Sequence, residues 1–121
     1  MTLEGLYTVL NSIEAFSDKV AYRAFPVVNA PELPFICYMA TDTTNLAADC
    51  KVYQVVQEID IELYTEEKDV VSESAVETAL DNAMIPWEKS EDYIQDQQCY
   101  MITYSITLII TKEETEESSN G

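Results

Sequence analysis

Glu58, Asp60 and Glu62, three carboxylates two residues apart, are the side chains whose type and spacing come nearest to chemistry in this chain. On an extended strand they share one face at steps of about 6.6 Å, close enough to hold a metal ion together or to divide acid and base roles. No second run of Asp or Glu in the sequence matches them, so the plainer reading is a solvated strand face. Cys50, followed by Lys51, is the other reactive candidate, because a neighbouring ammonium favours the thiolate. The 121 residues include no histidine, the commonest general base, proton shuttle and zinc ligand, and Cys50 is then expected to be a structural or surface thiol. Gly5 and Gly121 are the only glycines and cannot build a phosphate-cradling loop. The Asp and Asn residues between Asp42 and Asp49 lack both the glycine and the twelfth-position glutamate of a calcium loop. The chain is expected to have no catalytic residue, cofactor or metal, and not to be an enzyme.

The acidic triplet belongs to a stretch in which the hydrophobic period changes from two to about 3.6. Tyr53, Val55, Ile59, Ile61 and Leu63 alternate with Gln54, Glu58, Asp60 and Glu62, which predicts a long strand with a core face and an acidic face. Thr65 to Asp69 breaks the alternation, and Val76, Ala79, Leu80 and Ala83 then recur at helical spacing. Leu3, Leu6, Tyr7, Leu10 and Ile13 predict a helix over about 2–15, with Gly5 a modest cost inside it. Val20 to Phe25, stopped by Pro26, suggests an edge strand, and the prolines at 31 and 34 make a connector. Phe35 to Ala40 is an apolar run of strand length, followed by a polar loop from Asp42 to Asp49. Trp87 to Asp96 is a weaker strand, and Tyr100 to Thr111 a strong one with Tyr100, Ile102, Tyr104, Ile106, Leu108 and Ile110 in alternation. The expected fold is α+β: a four- to five-stranded, mostly antiparallel sheet with both helices on one face, formed by residues 1–111 as one domain. Residues 112–121, KEETEESSNG, make an acidic tail expected to be disordered in isolation.

Charge excludes several functions. Six basic residues stand against 23 acidic ones, a net charge of −17, which argues against direct grip on nucleic acid and against an anionic membrane surface. With 47% hydrophobic residues and 8 tyrosines, that charge does not signal disorder of the whole chain. There is no apolar run of membrane-spanning length, and Met1-Thr2-Leu3-Glu4 lacks the basic start of a secretory signal, so the protein is expected to be cytosolic when made. Cys37, Cys50 and Cys99 are odd in number, with no CxxC pair, and are expected to be reduced.

Two non-enzymatic readings follow from the residues: an acidic decoy that mimics DNA and occupies the groove of a basic protein, or an assembly subunit that buries its strands against copies of itself. Leu33-Pro34-Phe35-Ile36-Cys37-Tyr38, Ala48-Asp49-Cys50-Lys51-Val52-Tyr53, Ile61-Glu62-Leu63-Tyr64-Thr65 with Lys68-Asp69, and the Trp87 to Tyr104 stretch with Tyr93-Ile94 carry a further indication. This succession resembles the small tail terminator, or tail completion, proteins of long-tailed bacteriophages. The resemblance implies a structural virion protein, made in the host cytoplasm, that caps the tail tube as a ring, a hexamer, at the head-proximal end. Its partners would be the tail tube protein and the head connector or stopper, with DNA passing through unbound. A neck or head–tail adaptor subunit is the alternative within that setting. Glu58, Asp60 and Glu62, or the acidic tail, would line the lumen, and an assembly interface is expected around Tyr22, Phe25, Asp42, Asn45, Leu46, Asp49 and Trp87.

Overall fold

A computed structural model describes residues 1–25, 31–48 and 51–111, without the side chains of 46–48, 51–53 and 111. The chain runs α1 (Leu3–Asn11), a 3-10 turn (Glu14–Phe16), β1 (Val20–Tyr22), β2 (Phe35–Ala48), β3 (Lys51–Thr65), α2 (Val70–Asn82), β4 (Glu88–Ile94) and β5 (Cys99–Thr111). The strands form one sheet in the order β1-β2-β3-β5-β4, antiparallel at every junction except β1 with β2, which is parallel. The α+β architecture and its mostly antiparallel sheet are as the hydrophobic periods predict.

Alternation decides which face is buried. In β3, Ile59, Ile61 and Leu63 lie opposite Ala40, Tyr38 and Ile36 of β2 and opposite Ile106, Tyr104 and Ile102 of β5. Residues directly opposite each other point to the same side, so these rows make one apolar layer. Leu6 and Leu10 of α1 and Val76 and Leu80 of α2 close over it, and all four are fully buried. Both helices therefore cover one face. Thr2 caps α1, its hydroxyl accepting from the Gly5 amide at 3.0 Å. Asp69 caps α2 by accepting from the amide and hydroxyl of Ser72, and these hydrogen bonds hold its carboxyl below the usual range.

The segment from Asp42 to Asp49 corrects the expectation of a polar loop. Up to Ala48 it continues β2, paired with β3 from Phe35↔Tyr64 to Ala48↔Lys51, with irregularities between Ala40 and Asp42 and between Leu46 and Ala47. Thr41, Thr43 and Thr44 are β-branched and tolerate a strand. They lack the apolar signature because this part of β2 lies beyond β1 and Asp42 to Asn45 remain exposed. Asp49, Cys50, residues 26–30 and the tail 112–121 lie outside the described residues.

Basic side chains are scarce, and two of the six are spent pinning β4 to α2. Glu73, 3% exposed, receives Lys68 Nζ and Lys89 Nζ, each at 3.1 Å from Oε1. Lys89 also donates to Glu77 Oε2 at 2.7 Å, and Tyr104 donates its hydroxyl to the same oxygen at 2.8 Å. Burial tends to raise the Glu77 carboxyl, but the hydrogen bonds from Lys89 and Tyr104 outweigh it and hold the group below its usual value. Such a group adds stability above its unfolded pKa near 4 and loses it as pH falls through the folded value. Glu77→Gln is thus expected to lower stability at pH 7 and to flatten the fall in stability of the wild type between about pH 5 and 3, read by denaturant unfolding at each pH; equal acid limbs would remove the assignment.

The end of α2 is closed without glycine. Ile85 N donates to Leu80 O at 2.9 Å and Met84 N to Asp81 O at 3.0 Å, a pairing that requires Met84 in the left-handed region, φ 57°. Its side chain is 87% exposed and makes no packing contribution worth keeping. Met84→Gly is expected to raise stability by up to about 1 kcal/mol, seen as a higher denaturation midpoint with unchanged slope.

Candidate functional site

The face of the sheet opposite the helices carries the acidic row. Glu58, Asp60 and Glu62 point there from β3, since Ile59, Ile61 and Leu63 between them are buried on the helix side. The β5 residues opposite them are Thr107, Ser105 and Thr103. Thr107 Oγ1 donates to Glu58 Oε2 at 3.0 Å and Ser105 Oγ to Asp60 Oδ1 at 3.2 Å. Glu62 Oε1 instead accepts the Tyr64 hydroxyl at 2.7 Å. Each carboxylate thus has one neutral hydroxyl donor, which eases its charge without cancelling it.

The register adds acids that spacing along the chain did not reveal. Asp42 of β2 lies opposite Glu58, so it joins the same face. On β4, Glu88 is opposite Ser105 and Asp92 opposite Met101, which places both on that face too. The expectation that no second segment would supply matching acids is corrected: β2 and β4 supply Asp42, Glu88 and Asp92, separated along the chain but gathered by antiparallel pairing. Six carboxylates therefore share one surface, while Lys68 and Lys89 engage partners on the helix side. The carboxylates are spread at strand spacing, about 4.8 Å across and 6.6 Å along. Among the described residues no group of three His, Cys, Asp or Glu side chains converges closely enough to hold a metal ion.

The same face is apolar at its other end. Phe25 packs edge-on against Phe35, ring centroids 5.4 Å apart, and Phe35 lies against Tyr64 at 5.1 Å. Cys37 and Cys99, 4% and 2% exposed, are enclosed near this aromatic line. Burial, with the Glu62 charge behind it, pushes the Cys37 thiol up to about 11, and burial raises Cys99 as well, so neither is poised as a nucleophile. Burial first, then the bond to Glu62, raises the Tyr64 hydroxyl far above the usual tyrosine value.

The residues expected at an interface fall in different places. Tyr22 is 41% exposed, stacks edge-on against Tyr38 at 5.2 Å, carries the Arg23 guanidinium over its ring, and accepts the Ala40 amide. Phe25 belongs to the aromatic line. Asp42 and Asn45 are exposed on β2, opposite Glu58 and Val55, and the Leu46 backbone pairs with Gln54. Trp87 is half-buried, edge-on to Tyr104 at 5.5 Å, with its indole N–H donating to Asp81 at 2.9 Å; it caps the core. Beside it, Pro86, Glu88, Glu58, Ser105, Ile106, Thr107 and Ile109 complete a cleft of about 600 Å³ at the outer edge of β5.

The molecule is thus an α+β domain with a helix-covered core and an exposed sheet face bearing a field of like charge. The chain matches no family model, and no curated protein matches it significantly in sequence.

Like charges on adjacent strands repel, and the Debye length falls from about 30 Å at 0.01 M salt to about 3 Å at 1 M. The melting temperature is expected to rise with sodium chloride over this range, and the Glu58→Gln, Asp60→Asn, Glu62→Gln triple variant to show a clearly shallower rise. Equal salt slopes would mean that the face does not carry net repulsion.

Proposed function

We propose that this chain is a non-catalytic assembly subunit of the tail terminator kind, which caps a phage tail tube as a hexameric ring and joins it to the head connector. The observation that carries this reading is the exposed sheet face, with six carboxylates on a scaffold of strands and neutral hydroxyl partners. A surface of that sign repels phosphate within a Debye length of about 8 Å at physiological salt, so DNA passing a lumen so lined would slide without sticking. The spread of the carboxylates suits a lining better than a pocket. The likeness of the Leu33 to Tyr38, Ala48 to Tyr53 and Ile61 to Asp69 segments to tail terminators supports the same role, as does the exposed position of Tyr22, Asp42 and Asn45 near one edge of the sheet. In this reading the protein is a virion component at the head-proximal end of the tail, assembled in the host cytoplasm.

The native mass of the purified protein, followed over a wide concentration range with and without magnesium, tests this. A hexamer, promoted by magnesium as it screens the carboxylates, is the expected result, together with loss of normal DNA delivery when Glu58, Asp60 and Glu62 are reversed to lysine. A monomer throughout that captures a basic protein would replace the ring with the DNA-mimic decoy. A ring that binds the connector and not the tube would make it a neck adaptor.

A further inference from the structure

The sheet is not the same width along its length. β1 pairs with β2 only at Ile36 to Tyr38, and β4 with β5 only at Cys99 to Ser105. Beyond these, β2, β3 and β5 continue as a three-stranded ribbon. Among the described residues Ala40 is the last of β2 served from the β1 side, its amide donating to the Tyr22 hydroxyl and its carbonyl accepting from Arg23. From Asp42 to Leu46 on β2 and from Thr107 to Thr111 on β5, the outer edges meet no other strand among the described residues. The two free edges occupy the same five levels, Asp42–Glu58–Thr107 through Leu46–Gln54–Thr111, and the β2 stretch is the regular run between its two irregularities.

We propose that these edges pair between copies of this chain, β5 of one subunit with β2 of the next, in parallel and head to tail. The inference rests on the self-assembly proposed above and assigns it a surface. β2 and β5 both run antiparallel to β3, so they run parallel to each other, and a simple rotation of one copy beside another brings β2 alongside β5 in the same direction. Such heterologous contacts repeat from copy to copy and make a ring where the rotation between neighbours closes. Pairing β5 with β5 would stop at a dimer and leave two β2 edges open, and pairing β2 with β2 would likewise stop at a dimer and leave two β5 edges open. The β5 edge, Thr-Leu-Ile-Ile-Thr, is a strong β-forming run without the lysine or proline that blunts an exposed edge, and Ile109 is 53% exposed. The cleft beside Ile109, bounded by Pro86 and Trp87, lies where the incoming strand would follow on from β4. The chain's own residues 112–121 are a poor occupant, because their four glutamates would meet an acidic face.

Cysteine cross-linking in a Cys50→Ser background tests the pairing. Asp42→Cys/Ile109→Cys, Thr44→Cys/Ile109→Cys and Thr44→Cys/Thr107→Cys are oxidised at a concentration where the parent is oligomeric, sampling three registers. One of them is expected to give a ladder of covalent oligomers that ends at the ring number, and the single variants no ladder. Quantitative dimers from Ile109→Cys alone would overturn the proposal in favour of two-fold pairing. No ladder from any pair, with the native mass still oligomeric, would overturn it and leave the ring standing; a parent that is monomeric throughout would remove both. Ile109→Lys, on an exposed side chain, is expected to keep the parent's melting temperature in its monomeric form and to raise the concentration of half-assembly at least tenfold. An unchanged assembly concentration would count against the edge.

Discussion

The two faces of the sheet depend on the register of β3. Its side chains alternate so that Ile59, Ile61 and Leu63 are buried while Glu58, Asp60 and Glu62 face away, and it is paired on both sides, with β2 from Lys51 to Tyr64 and with β5 from Gln54 to Thr65. A slip of one residue would exchange the two sets, sending three carboxylates into an apolar core and three large apolar side chains into water. Burying even one unpaired carboxylate costs several kcal/mol, so the register is strongly specified. The acidic face is therefore the necessary reverse of the core. The hydroxyls of Thr107, Ser105 and Tyr64 make that reverse tolerable by giving each carboxylate a donor.

The helix side handles charge in the opposite way. There Glu73 is almost wholly buried, and two lysines converge on it from Lys68 and from β4, with Glu77 and Tyr104 extending the network. In a chain with 6 basic and 23 acidic residues, placing two lysines at one buried glutamate is a concentrated use of scarce charge. It ties a strand that is exposed at most positions to the helix beside it, since Glu88 to Tyr93 have no buried side chain with which to hold on. The sheet edge on that side is anchored by ions, and the opposite edge by the short parallel contact of β1 and the side chains of Tyr22 and Arg23. Where both anchors end, a narrower ribbon remains with matching edges.

Much of this was legible from residue order. The change of period at Thr65 marked the end of β3 and announced α2, and the alternation in Tyr100 to Ile110 identified β5 and its buried face. These signals are strong because each residue's burial is decided within its own element. The extension of β2 from Thr41 to Ala48 was not legible, since Thr41 to Asn45 are polar on both faces and their strand conformation comes from pairing with β3. Trp87, expected at an interface, packs on the core instead. Its place against Tyr104 depends on where β5 passes, and its indole partner, Asp81, lies on the preceding helix.

The sequence by itself determined the α+β class, the strand with one acidic and one apolar side, the two helices, and the absence of histidine and of a glycine-rich phosphate loop, all of which are local patterns or plain composition. Only the tertiary structure decided that Asp42, Glu88 and Asp92 join Glu58, Asp60 and Glu62, that Cys37 and Cys99 are buried, and that among the described residues β2 and β5 leave unpaired edges at the same levels. Those are matters of register between strands far apart in the chain. Register is set by the fit of one apolar face across the whole sheet, which no segment carries alone.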